Sequence, residues 1–213
     1  MSLKSKALEA AVGVVCLIAV PVFAQTEADR AARHEEHIVW RIHQANQEEI
    51  QEATLAEQKS QSPGVKDFAQ RMLADHQAAE QQVRGYASSH HIDLDAVRSE
   101  LLKRNADRLE EERRSRSVGS ATGEWSYTWE NTLPPFDDTQ QVLARLRKLD
   151  GGAFDREFVK QMIDGHQRLI DRLNAARERG LSSDLAALID GLLPTVKHHL
   201  EMARTLQDAI AKA

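Results

Sequence analysis

Glu49, His76, His166 and His199 are the residues whose types and spacing point to chemistry. Each falls on the apolar stripe of a different helical pattern. Brought into one buried layer, they would offer one carboxylate and three imidazoles. That donor set suits a transition metal such as zinc, iron, manganese or copper. It also suits a closed polar network without metal, in which Glu49 accepts hydrogen bonds from the histidines. In both cases the groups need each other, because a buried carboxylate without a partner is costly. A single histidine on an apolar helix face is ordinarily a core residue. Convergence is what would make these four a site.

The elements that must position them are visible in a repeated run. Phe68, Met72, His76 and Gln77 recur as Phe158, Met162, His166 and Gln167, ninety residues later. Four-residue intervals stack Phe, Met and His on one helix face. Four long helical patterns contain the candidate residues. The first spans about 27–60, with Ile38, Ile42, Ala45, Glu49, Ala53 and Ala56 inward. Ser62-Pro63-Gly64 breaks it. The second spans about 65–89, with Val65, Phe68, Met72, His76, Ala79 and Val83 on one face. The third spans about 154–179, ends at Gly180, and faces Phe154, Phe158, Met162, His166, Leu169, Ile170 and Leu173 inward. Ser182-Ser183-Asp184 caps the fourth, which runs to about 211 with Leu185, Leu188, Leu192, Val196, His199, Met202, Leu206 and Ile210 inward. Gly191 and Pro194 lie inside it and predict a kink or break.

Glu49 and His76 each lie roughly 18 Å of helix from the Ser62–Gly64 turn, and His166 and His199 roughly 21–24 Å from the Gly180–Ser183 turn. The expected fold is all-α: a ferritin-like, up-down-up-down four-helix bundle. In that order both turns share one end, and the four polar residues fall within about one helical turn of each other.

Between the second and third main helices the pattern changes. Residues 95–116 form a highly charged helix with a thin stripe of Val97, Leu101, Leu102 and Leu109. Residues 117–138 look irregular, with Trp125, Tyr127 and Trp129 alternating before Pro134-Pro135. These aromatics either pin the loop to the bundle or form a contact surface for an envelope partner. A short amphipathic helix at 139–149 leads into Gly151-Gly152.

The N-terminus reads as an export signal. Lys4 and Lys6 precede an apolar run from Ala10 to Phe23, and Val22-Phe23-Ala24 offers cleavage after Ala24. The run is short for a membrane span; an uncleaved anchor is the other reading. Cys16 is the only cysteine and follows Val15, a poor match to a lipoprotein signal. The mature chain, 25–213, would then enter an oxidising, periplasmic compartment without disulfides and rely on its core. Its composition, 41% apolar with 5% aromatic and little Gly or Pro, favours helices over a sandwich or barrel. A net charge of −5 with both signs mixed gives no nucleic-acid footprint. Nothing else in the mature chain predicts a membrane span, and a homo-oligomer is compatible with the pattern.

Glu49-Ile-Gln-Glu-Ala-Thr-Leu-Ala-Glu-Gln-Lys59 and the stretch from Ser62 to His76 resemble the front half of an exported bacterial family of unknown function, DUF4142. Gly152 to Phe158, Met162 to His166, and Leu193 to Ala203 resemble its back half. The resemblance covers about 38–90 and 139–208. Family members are often labelled outer-membrane or periplasmic proteins, and the resemblance implies a ferritin-like bundle. It places Glu49, His76, His166 and His199 on the family's recurrent Glu, Asp-His, His and His-Leu positions. It implies no settled activity. Two departures stand out. The family usually has Asp directly before the third-helix histidine, where this chain has Gly165, with Asp164 one position earlier. About 103–138 looks like an insertion.

A carboxylate-bridged di-iron site needs Glu-x-x-His on two helices, and no Glu lies three residues before His76, His166 or His199. Met72, Met162 and Met202 lie one turn from the histidines and suit Cu(I), although Met at this spacing ordinarily fills core gaps. His34 and His37 form an i, i+3 pair read as a solvated face, and His90, His91 and His198 read as surface. No nucleophile elbow, phosphate loop or zinc-protease helix motif is present. The leading expectation is a metal-binding or metal-responsive periplasmic protein, with an enzyme a distant third. The alternative is an envelope interaction module with a structural polar layer, contacting its partner through Trp125, Tyr127, Trp129 and the charged arm.

Overall fold

A computed structural model describes residues 26–118 and 137–212. The export signal, Cys16 and the aromatic stretch with Trp125, Tyr127 and Trp129 lie outside the described residues. The described elements are α1 (Glu27–Lys59), α2 (Pro63–Ser89), α3 (Leu94–Val118), α4 (Asp137–Arg147), α5 (Gly151–Glu178) and α6 (Ser183–Lys212). Local signals explain several boundaries. Thr26 and Asp29 form a reciprocal capping box at the start of α1. Pro63 opens α2 at a position where its missing N–H costs nothing. Gly180, with φ +80, takes the left-handed conformation that ends α5 and frees the chain to reverse.

The long helices α1, α2, α5 and α6 form the bundle. α1 packs on α2 and α5, and α6 packs on α5 and α2, so α2 and α5 stand on a diagonal. Buried stripes follow the expected faces, with Ile38, Ile42, Glu49, Ala53 and Ala56 on α1 and Phe154, Phe158, Met162, His166, Leu169, Ile170 and Leu173 on α5. The all-helical bundle is therefore as the sequence predicts.

Its chain order differs in one respect. Glu35, near the start of α1, accepts hydrogen bonds from Ser182 N (2.5 Å) and Oγ (2.7 Å) at the α5–α6 turn. Ser60, just after α1, donates to Asp155 at the start of α5 (2.6 Å). Gly64, at the start of α2, lies against Leu206 near the end of α6. The two short turns thus sit at opposite ends, and the chain runs up, down, down, up. The α3–α4 segment carries it back along the bundle, as the one long crossover of ferritin-like folds does. The expectation that both turns share one end is corrected. The repeat gives the physical reason. Phe68-Met72-His76 and Phe158-Met162-His166 can match level by level only if α2 and α5 run in the same direction.

They do match. Phe68 and Phe158 meet with ring centroids 6.1 Å apart. With Met72, Phe154, Met162 and Val65 they form an apolar cluster at one end. Ile38, Ile42, Val83, Leu173, Leu185, Ile189 and Val196 build a second cluster at the other. The candidate residues fall between these clusters. His76, His166 and His199 lie near the middle of helices of 27 to 30 residues and Glu49 ten residues before the end of α1, so they meet at one level whichever end holds the second turn.

Three smaller expectations change. α6 continues without a break through Pro194, since Leu192, Leu193 and Val196 are buried on both sides of it and hold the helix in place. Among the described residues of α3, Val97 and Leu101 are the buried ones, against Trp40 of α1. Leu102 and Leu109 are 39% and 49% exposed, so the predicted stripe does not extend that far. His37 is buried rather than solvated, because α3 covers it and brings Glu100 Oε1 to 3.7 Å from its Nε2. No described helix is long and apolar enough to cross a membrane.

Candidate metal centre

The structure brings all four predicted residues together, one from each main helix. His76, His166 and His199 are buried and place one ring nitrogen each within 4.8 Å of the others. Their ring centroids are 5.7 Å (His76–His166), 5.1 Å (His76–His199) and 5.4 Å (His166–His199) apart. Glu49 closes the layer from α1. Its Oε2 lies 2.8 Å from His76 Nε2, and its Oε1 lies 3.5 Å from His166 Nδ1.

Each histidine is held by its other nitrogen. His76 Nδ1 donates to Asn46 Oδ1 (3.0 Å). His166 Nδ1 donates to the Met162 carbonyl one turn earlier (2.9 Å). His199 Nε2 donates to Asp75 Oδ2 (2.9 Å). These bonds fix ring orientation and tautomer, and they leave the lone pairs of His166 Nε2 and His199 Nδ1 for another partner. Among the described residues, both of those nitrogens, with His76 Nε2 and Glu49 Oε2, are buried and make no aligned hydrogen bond. The 2.8 Å approach of His76 to Glu49 is an ion-pair contact whose angles are poor for a hydrogen bond.

Charge is distributed unevenly over the layer. Burial by itself would raise the Glu49 carboxyl, but the pull of His166, His76 and His199 holds it down at about 2. Burial opposes charge on His76, yet Glu49 beside it lifts it above the usual imidazole value. His166 is lowered, chiefly by burial. His199 is lowered to about 4 by burial and by the two neighbouring histidines, against the raising effect of Asp75. Metal-free, the layer thus favours charge on the Glu49–His76 pair and disfavours it on His166 and His199.

Sequence reasoning missed the partners. Asn46 and Glu52 lie one turn before and after Glu49, both buried, and read as polar interruptions of an apolar stripe. Asp75 directly precedes His76, but its carboxylate serves His199 on another helix. A search for Asp-His pairs would have found Asp75, though not its target. Asp164, the displaced acid before His166, is bound by Lys160 (2.6 Å) at the surface and does not orient a histidine of the layer. At Gly165 an added Cβ would meet Glu49 Oε1 at 3.8 Å. Met72 and Met162 lie in the apolar cluster with Phe154 and Phe158, and Met202 packs against its edge, which fits gap-filling. His90 stacks on Tyr86 at the surface, and His91 and His198 are exposed.

The sequence matches the family described as Domain of unknown function (DUF4142) over residues 20–116 and 130–206. The chain belongs to the DUF4142 family. The match breaks at 117–129, inside the stretch that reads as an insertion. No curated protein matches the sequence. Among solved structures, this DUF4142 chain is similar to "CopM in the Cu(II)-bound form", with TM-score 0.54 and 14% identity over 82% of this chain and 96% of that one. At that identity the likeness supports the shared helical fold.

Proposed function

We propose that this DUF4142 protein is an exported, periplasmic metal-binding protein whose ligands are Glu49, His76, His166 and His199. The observation that carries the reading is the convergence of three buried histidines, each with a ligand atom within 4.8 Å of the others, beside the Glu49 carboxylate, with His166 Nε2 and His199 Nδ1 buried and without a hydrogen-bond partner. Buried polar atoms are rarely left in this state, and here the opposite nitrogen of every ring is already engaged. Metal-bound histidines usually carry such outer hydrogen bonds. Zinc–nitrogen distances of ~2.0–2.1 Å put two ligand atoms no more than about 4.2 Å apart across one ion. The rings would therefore close slightly on a bound ion. Three imidazoles and a carboxylate suit Zn(II) or Cu(II) better than Cu(I), and the likeness to CopM in its Cu(II)-bound form makes copper the first ion to test. A bound ion here would act as a stored or buffered species held away from water.

The rival reading is a structural polar layer in an envelope interaction module. The Glu49–His76 ion pair favours it, because that pair is already charge-neutral without metal. Elemental analysis of the tag-free mature protein separates the two, run beside a variant with all four residues replaced by apolar ones. Near-stoichiometric metal in the wild type and none in the variant is the expected result. Absence of metal in both, after incubation with copper, zinc, iron and manganese, overturns the metal reading.

A further inference from the structure

His37 is a buried histidine that the four-residue layer does not use. It is 2% exposed, and among the described residues neither Nδ1 nor Nε2 has a hydrogen-bond partner. The facing acid, Glu100 of α3, stops at 3.7 Å from Nε2, too far for a hydrogen bond, and is itself 42% exposed. A protonated imidazole in this place would be a buried charge without a close partner, which is costly. Burial accordingly lowers His37 below the usual imidazole value. Glu100 opposes the shift, while Arg104 of α3 and Arg41 and His34 of α1 add to it. Glu36 and Arg33 of α1 also border this interface, where Glu36 is raised by Glu100. On the α5 side, Arg41 shares a cleft with Arg168 and Arg172. Towards α2 and α6 the surroundings are apolar: Ile38 and Val39 join Val83, Ala87 and Leu185.

The helix that covers His37 has a small apolar footprint. Val97 and Leu101 pack on Trp40, with Ile92 and Leu94 partly buried beside them. Leu102 and Leu109 face outward. An element with so few buried apolar contacts opens locally more easily than the bundle core. Lifting α3 would return His37 to water, where an imidazole takes up a proton near pH 6.5. The docked arrangement binds that proton less well than the open one, so acid favours the open one. The docking stability linked to His37 is complete above 6.5 and is lost as pH falls through the lowered, docked value.

We propose that α3 is an acid-released arm: it lies over His37 at neutral pH, and protonation of His37 detaches it from α1 and uncovers Trp40. The proton comes from solvent and stays on the imidazole. Release exposes an apolar face made of Trp40 on α1 and of Val97 and Leu101 on α3. The bundle core keeps its packing, because α3 lies outside the four long helices. The device does not depend on a metal in the histidine layer.

The test is amide hydrogen exchange of metal-free, full-length mature protein between pH 7.5 and pH 5, with rates corrected for the intrinsic effect of pH. Protection of residues 94–111 is compared with that of the core stretches of α5 and α6 in the same samples, so that a general loss of stability cancels. His37→Leu and His37→Gln are run beside the wild type, since neither replacement can take up a proton. The expected result is that α3 protection in the wild type falls about threefold or more relative to the core as pH drops. In both variants the ratio of α3 to core protection stays constant. Melting curves at pH 7.5 check that the variants fold, and one folded variant is enough to decide. A wild-type ratio that does not change with pH, or a fall that survives in a folded variant, overturns the proposal.

Discussion

α2 and α5 carry the same Phe-x-x-x-Met-x-x-x-His-Gln run in the same direction, yet their histidines live in different surroundings. His76 leans on a side chain, Asn46, and pairs with Glu49. His166 leans on its own helix, through the Met162 carbonyl, and burial disfavours its charged form. The residue before each histidine differs as well. Asp75 reaches across to His199, whereas Gly165 faces Glu49 with nothing. A repeated stripe thus fixes where two imidazoles stand. The neighbouring helices decide on which of the two charge is favoured.

The comparison breaks first at the histidines themselves. If the layer binds metal as a unit, His76→Ala and His166→Ala both lose more than ~100-fold in metal affinity, beyond the ~10–100-fold typical of an outer partner. Their metal-free stabilities should differ. His76→Ala leaves the buried Glu49 carboxylate without its cation and should cost ~3–5 kcal/mol. His166→Ala removes a ring on which charge is disfavoured and should cost less. Equal losses in denaturant titrations would argue that the charge asymmetry is absent.

Acid should act next. The Glu49 carboxyl, held down from 4.5 to about 2, contributes stability that is complete above 4.5 and disappears as pH falls toward 2. That displacement corresponds to ~3 kcal/mol. His199, lowered from 6.5 to about 4, works in the same sense: its contribution is complete above 6.5 and is lost as pH falls through 4. Metal-free protein should therefore melt progressively lower from pH 6.5 downward. A flat Tm between pH 6.5 and 3 would contradict the assigned charges.

Asp75→Asn tests the cross-helix partner. It should weaken metal binding by ~10–100-fold while leaving the four ligands in place, as measured by competition titration. The smallest effect belongs to Gly165→Ala, whose added Cβ meets Glu49 Oε1 at an ordinary 3.8 Å. Relief of a glycine inside a helix should stabilise the protein by ~0.5–1 kcal/mol. A destabilisation instead would mean that α5 needs the glycine for close approach at this level.

The candidate site was legible because helical periodicity alone puts Glu49, His76, His166 and His199 on inward stripes. Their helices were also readable from turn chemistry at Ser62-Pro63-Gly64 and Gly180. The direction of the second hairpin was open to reading too, since a repeat in one sense implies parallel helices, but distances counted from the turns are satisfied by either arrangement. The burial of His37 was not legible: it depends on α3 folding back over α1, and α3 carries too few apolar residues to announce which face it seeks. Nor was the burial of Glu52, which on the sequence is one acid among several on α1.

By itself, the sequence determined a four-helix bundle with a polar belt at mid-height, because burial of a helix face depends only on residue type and a period of 3.6. Only the tertiary structure decided which nitrogen of each histidine faces the centre, which imidazole shares charge with Glu49, and that α3 covers His37. Those properties arise from distances between side chains on different helices, and spacing along one chain does not encode them.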